Sequence, residues 1–249
     1  TWMDAKVGDW VVTPRHGKPV EINALWYNAL RIAEGLSAKF GDPVFGAISG
    51  DYAAAVAGTF EKQYWNDETD CLFDVVGDNK DGAIRPNQIF ALSLPHRLLS
   101  DEAERRILTV VQNQLVTPRG LRSLSPTDAR YAGHYGGDQH SRDGSYHQGT
   151  VWGWLIGPFV SAYVRVNGST DEARDRAAGF IAPFESHLYE AGLGHISEIF
   201  DGDAPHTPRG CYAQAWSVGE VLRCYVEDIL GERPSPWVDE LLSTRQAGA

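Results

Sequence analysis

The chain of 249 residues is 43% hydrophobic and 11% aromatic, with 33 acidic against 22 basic side chains and a formal charge of -11. Such a length buries one substantial core, and the negative charge argues against sequence-blind binding to nucleic acid phosphates or anionic lipid surfaces, so a neutral ligand fits better. No run approaches the roughly 18 apolar residues that span a bilayer, and the start lacks the basic and hydrophobic regions of a secretory signal.

Cys71, Cys211 and Cys224 show no zinc or redox spacing and cannot all pair, so buried thiols in a reducing compartment are expected. The expectation is a cytoplasmic protein with one catalytic domain over 1–249. Its first residue, Thr1, already opens a motif, which suggests that upstream sequence is missing.

Helical periodicity dominates from the N-terminal side. Ile22, Leu25, Ala29, Ile32 and Leu36 recur at helical spacing and fade near Gly41-Asp42-Pro43, predicting a long helix. Asn23, Tyr27 and Leu30 lie on another side, as in an inner helix that packs outward and lines a cavity. Further helices are expected over 50–65, 86–99, 101–115, 149–166, 169–189, 212–230 and 235–244, with Pro95 kinking or ending the one that holds it. Asp101 with Glu104, and Ser169 with Glu172, read as capping boxes. Residues 72–76 could form a short strand, and the domain reads as nearly all-α. Long polar loops over 120–149 and 192–210 are where functional residues are expected.

Asp4, flanked by Trp2 and Met3, has a distant counterpart in Glu198. Two carboxylates in aromatic settings suit acid/base chemistry: an apolar setting raises one pKa while a polar one keeps the partner ionised, as glycosidic hydrolysis requires. Around them, aromatic rings and polar side chains recur together: Trp2 with Asp4; Glu21, Asn23, Trp26 and Tyr27; Arg85, Asn87 and Gln88; Tyr146, His147, Gln148 and Trp152; Glu198, Asp201, Gln214 and Trp216. Sugar rings stack their apolar faces on indoles and present hydroxyls to such polar groups.

His134, Asp138, His140, Asp143 and His147 could supply metal ligands, but their spacing fits no zinc pattern, and lining a pocket is the expected role. An EF-hand loop is excluded because Gly77 and Gln88 stand where it needs Asp and Glu. Nucleophile-elbow, phosphate-loop and dinucleotide motifs are also missing, which leaves carboxylate chemistry. That chemistry needs no metal or other cofactor. In a purely structural reading, Asp4 caps a helix and Glu198 pairs with Arg209; Glu21 is the rival for the acid role.

The segments 1–5, 13–15 with 17–30, 84–88, 146–152, and 198–202 with 214–217 together resemble the C-terminal amylo-α-1,6-glucosidase domain of glycogen debranching enzymes, in order along nearly the whole chain. The resemblance implies an (α/α)6 toroid of helical hairpins, glucoamylase-like, and an inverting release of glucose from α-1,6 branch stubs of glycogen or a related α-glucan. On matching positions Asp4 is the general acid and Glu198 the general base, with carboxyl groups roughly 6.5 to 9.5 Å apart to admit a water. The helices read here fall short of a complete toroid, so the first hairpins are expected to be absent. Another toroid-fold α-glycosidase and a non-catalytic glucan-binding module are the alternatives.

Overall fold

In the computed structural model, residues 1–232 are described; the helix expected over 235–244 lies outside them. The first helix, α1 (Val20–Phe40), ends where Gly41 turns left-handed (φ 76°) and donates its N–H to the Ser37 carbonyl. Glycine carries no Cβ penalty in that conformation. Asp42 then caps α2 (Pro43–Tyr64) by accepting the Phe45 N–H at 3.0 Å, with Pro43 in the first turn. The Asp-Pro pair that stops one helix therefore starts the next, seven residues before the expected start at 50.

Residues 86–93 form a 3-10 turn (Pro86–Ile89) running into α3 (Phe90–Ser93), which closes on the extended Leu94. Pro95 enforces this, because the residue before proline avoids helical backbone. In α4 (Asp101–Gln114) the cap is Ser100, whose hydroxyl accepts the Ala103 N–H at 3.3 Å, and not Asp101. Glu104 is instead buried and pairs with Arg97 and Arg165. The loop over 120–149 contains a short helix, α5 (Gln139–Ser145), capped by Asp138.

The buried helix α6 (Ile156–Val166) follows a 3-10 turn over Gly153–Leu155. Thr170, not Ser169, caps α7 (Asp171–Ile181): Ser169 is left-handed (φ 53°), whereas Thr170 has the extended backbone that lets its hydroxyl reach the Ala173 N–H. Then come α8 (Pro183–His187) and α9 (Ala215–Cys224), which continues into a π turn over Tyr225–Ile229.

Helices dominate, yet the long loops also carry an antiparallel sheet in the spatial order 208–209, 199–200, 151–152, 120–122, 116–117. Trp152 lies between Leu121 and Ile199, and Val151 between Arg122 and Phe200. Strands of two or three residues are too short for alternation to be visible in sequence. Smaller ladders join Val75–Val76 to Lys18–Pro19 and Trp65–Asn66 to Cys71–Leu72.

The core centres on α6, whose Ile156, Phe159, Val160 and Ala162 are fully buried and which packs against α3, α4, α7 and α9. On α1, burial falls on Val20, Glu21, Ala24, Tyr27, Asn28 and Leu30, whereas Ile22, Leu25, Ile32 and Leu36 stand exposed beside Trp26 and Phe40. The apolar stripe is therefore real but is not the inward face. On α2, Val44, Phe45, Ile48 and Tyr52 are exposed as well. Cys71 and Cys224 are buried free thiols, with Cys224 pushed up to about 12 by burial, while Cys211 is exposed, against expectation. Among the described residues no helix is long and apolar enough to cross a membrane.

Candidate active site

The central sheet positions Glu198. Glu198 directly precedes Ile199, which pairs with Trp152, so the ladder carries the 198 segment beside the loop that bears Tyr146. The Tyr146 hydroxyl donates to Glu198 Oε1, and the Cys211 amide donates to Oε2 at 2.8 Å. Gly210 is left-handed (φ 63°), and a Cβ there would lie 2.5 Å from Oε2, so the close approach requires glycine. Burial above all, then the hydrogen bond to Glu198 and the charges of Glu198, Tyr135 and Asp4, hold the Tyr146 phenol well above its ordinary pKa. It therefore stays a donor.

Asp4 sits differently. It is exposed, in an irregular stretch before a hairpin pairing Lys6–Val7 with Trp10–Val11, so it neither caps a helix nor occupies the expected apolar pocket. The residues before it turn inward: Met3 is buried, and the Trp2 indole donates to Asn87 Oδ1 at 2.7 Å. Trp2 meets His147, Trp152 and Trp154 edge-on, with centroids 5.3, 5.1 and 5.4 Å away. Trp154 in turn stacks on the exposed Trp216 at 3.9 Å. An aromatic floor thus runs from the Asp4 segment to the start of α9.

Several residues expected to touch sugar are committed inside the protein. Glu21 is buried and gripped by both terminal nitrogens of Arg15, which also binds Asp74, so it is free neither as a hydroxyl acceptor nor as the rival acid. Burial would lower the Arg15 pKa, but Glu21 and Asp74 outweigh it and raise it. Burial pushes the Asp74 carboxyl up, while Arg15, Arg85 and Asn87 pull the other way.

Arg85 is fully buried and ties two loops together, donating to Ser123 O (3.0 Å), His147 O (2.7 Å) and Gln148 Oε1 (2.8 Å). Gln148 is also turned toward Val12 and Thr13, Gln88 accepts the Leu72 amide, and Asn87 bridges Trp2 and Asp74. Tyr27 is core, and Asn23 bonds the Pro19 carbonyl. Trp152 is buried with its indole N–H on Tyr146 O.

Asp201 accepts the Tyr135 amide at 2.8 Å and pairs with Arg209 at 2.9 Å and His134 at 3.3 Å. Burial raises its pKa, but these partners outweigh it and hold the carboxyl below the usual range. Arg209 thus pairs with Asp201 and not Glu198. His147 has no exposed surface, stacks on Trp152, and is pushed down to about 3, chiefly by burial. Its ring stays neutral.

Of the expected ligands, Asp4, Trp2, Tyr146, Glu198, Gln214 and Trp216 remain at least partly accessible around this floor, while on α1 Asn23 is half-buried and Trp26 stands exposed. Sequence reasoning missed Trp154, two residues beyond the quoted Trp152, and Asp74, which lies in a segment read only as a possible strand. The candidate metal set is dispersed. Asp138 caps α5, His140 stacks on Trp10, His134 pairs with Asp201, and among the described residues no group of three or more His, Cys, Asp or Glu side chains could hold a metal ion.

Known proteins resemble this chain in sequence and in fold. Residues 1–223 match the family model for amylo-alpha-1,6-glucosidase. The glycogen debranching enzyme of Saccharomyces cerevisiae is 28% identical over 81% of the chain, which spans only 16% of that relative's length. Among solved structures, a sialidase superposes with a TM-score of 0.70 (14% identity, 90% of this chain and 21% of that one). The neutral trehalase Nth1 of Saccharomyces cerevisiae gives 0.60 (16% identity, 91% and 40%). A GH63 mannosylglycerate hydrolase of Thermus thermophilus gives 0.58 (15% identity, 82% and 44%). At these identities the structural likeness speaks for the fold alone, that of the (α/α)6-barrel-like glycosidases. The family match covers most of the chain, including Asp4 and Glu198, and the chain belongs to the amylo-alpha-1,6-glucosidase family.

Proposed function

We propose that this domain is an inverting glycoside hydrolase that removes α-1,6-linked glucose stubs from branched α-glucan, with Asp4 as general acid and Glu198 as general base. One observation carries the reading: Tyr146 donates to Glu198 beside an aromatic floor, suited to a sugar ring, that runs from the Trp2–Asp4 segment to Trp216. With Tyr146 and the Cys211 amide satisfying one position on each Glu198 oxygen, the remaining lone pairs can accept a proton from water. Asp4, open to solvent, can give a proton to the leaving oxygen and recover one between turnovers. Trp2 and Trp216 offer apolar faces to the glucose ring.

We also infer that helices outside this chain complete the toroid. The exposed apolar stripes of α1 and α2 support this, since contiguous apolar surface of that kind marks an interface. The greater length of the matched relatives is consistent with it.

The test is incubation with a maltooligosaccharide carrying a single α-1,6-linked glucosyl stub, following released glucose by proton NMR. Early β-glucose, abolished in Glu198→Gln, supports the reading. Early α-glucose overturns inversion, and absence of release from the folded protein extended to a complete toroid overturns the debranching activity.

A further inference from the structure

Asp4 has to be aimed, yet among the described residues no hydrogen bond or ion pair holds its carboxylate. Its direction is inherited from the backbone of Trp2 and Met3. Both are held from below by Asn87: the Trp2 indole donates to Asn87 Oδ1 at 2.7 Å, and Met3 Sδ lies 3.6 Å from Asn87 Nδ2. On its other side, Asn87 Nδ2 donates to Asp74 Oδ1 at 2.7 Å.

The chemistry of this chain is polar in one direction only. An indole N–H donates and never accepts, a carboxylate accepts and never donates, and an amide has one end of each kind. Rotating the Asn87 amide by half a turn would set oxygen against carboxylate and NH2 against indole N–H, two unfavourable contacts in a buried place where each polar mismatch is costly. Asp74 is thus the element that dictates which way Asn87 points. It is itself immobilised: Arg15 binds it at 2.6 and 3.0 Å, its carbonyl accepts the Val20 amide at 3.0 Å, and its own amide donates to Asp81 O at 2.8 Å. Buried at 2% exposure, it cannot reach a substrate.

We propose that Asp74 is a positioning residue for the proton donor: it sets the Asn87 amide, and through the Trp2 indole it fixes the segment that ends on Asp4. The inference rests on the reading of Asp4 as the acid, and the test separates the two.

The indole N–H of Trp2, assigned by its loss in Trp2→Phe, is followed by proton–nitrogen NMR. In Asp74→Asn its exchange with solvent should quicken at least tenfold while that of Trp152 is unchanged; unchanged Trp2 exchange overturns the proposal. Activity supplies the second arm. Trp2→Phe, which deletes one N–H and keeps an aromatic ring, should lower kcat on the branched oligosaccharide about tenfold to a hundredfold, the scale of a misplaced catalytic group. The loss on α-glucosyl fluoride should be much smaller, because fluoride departs with little help from an acid. Equal losses on both substrates overturn a role in proton donation. Trp2→Phe carries the test if Asp74→Asn does not fold. If the unsubstituted protein with its toroid complete hydrolyses neither substrate while Trp2 exchange still responds to Asp74→Asn, the glucosidase reading fails and the hold of Asp74 on the Trp2–Asp4 segment stands.

Discussion

The two carboxylates are held in opposite ways. Glu198 is restrained at its own oxygens, by the Tyr146 hydroxyl and the Cys211 amide, on a sheet whose register is shared with Trp152. Asp4 is exposed, and the restraint lies one and two residues earlier, in Trp2 and Met3. The contrast follows from the roles proposed for them. A base that aims one water gains from donors that fix its orientation, whereas an acid must exchange its proton with solvent in every cycle.

The largest expected effect is on the gripped side. Glu198→Gln keeps the shape and removes the proposed base, and kcat on the branched oligosaccharide should fall about 10²–10⁴-fold with circular dichroism unchanged. A variant within tenfold of the original would remove Glu198 from the chemistry.

Gly210→Ala tests the same grip without touching a reacting group. Its Cβ would lie 2.5 Å from Glu198 Oε2 on a left-handed backbone, so the carboxylate must shift. A loss of about a hundredfold in kcat is expected, and unaltered kinetics would show that the position of the base is not demanding.

His147 lies between the two sides, against Trp2 on one and Tyr146 and Trp152 on the other. Its pKa falls from 6.5 to about 3 on folding, so the unfolded chain binds a proton that the folded chain refuses. Stability from this group is complete above about pH 6.5 and is lost as pH falls toward 3; the loss is roughly 3 kcal/mol at pH 4. Among the described residues neither ring nitrogen has a partner, so His147→Phe should flatten this dependence in urea titrations between pH 7 and 4. An equally steep variant would assign the acid sensitivity elsewhere.

The smallest effect belongs to the rim of the floor. Trp216, exposed and stacked on Trp154, should when changed to Ala raise KM severalfold, about 1 kcal/mol of stacking, with kcat little altered. A dominant loss in kcat would instead place the ring at the reacting bond.

Much of the helical framework was legible because its signals are local. The end of α1 near Gly41-Asp42-Pro43, the break before Pro95 and the long periodicity of α1 depend on backbone preferences of neighbouring residues. The same locality misplaced the caps: Ser100 and Thr170 stand next to Asp101 and Ser169, and only backbone conformation separates a cap from its neighbour. The motifs around Asp4 and Glu198 were also visible, through residue type and order.

What the sequence could not decide was which way those residues face. Periodicity marks an apolar stripe without saying what covers it, and on α1 the stripe of Ile22, Leu25, Ile32 and Leu36 lies outside the core described here. Residue type marks Glu21, Arg85, His147 and Asp201 as polar, but only tertiary partners decide whether such groups meet solvent or one another. Buried, they find partners or stay neutral, because an unpaired charge in the interior costs several kcal/mol. The chain by itself determined helices, turns and the chemical inventory, since these depend on near neighbours; the register that joins Trp152 to Ile199, and the burial that leaves Asp4 open while Glu198 is gripped, are set by contacts between residues far apart in sequence.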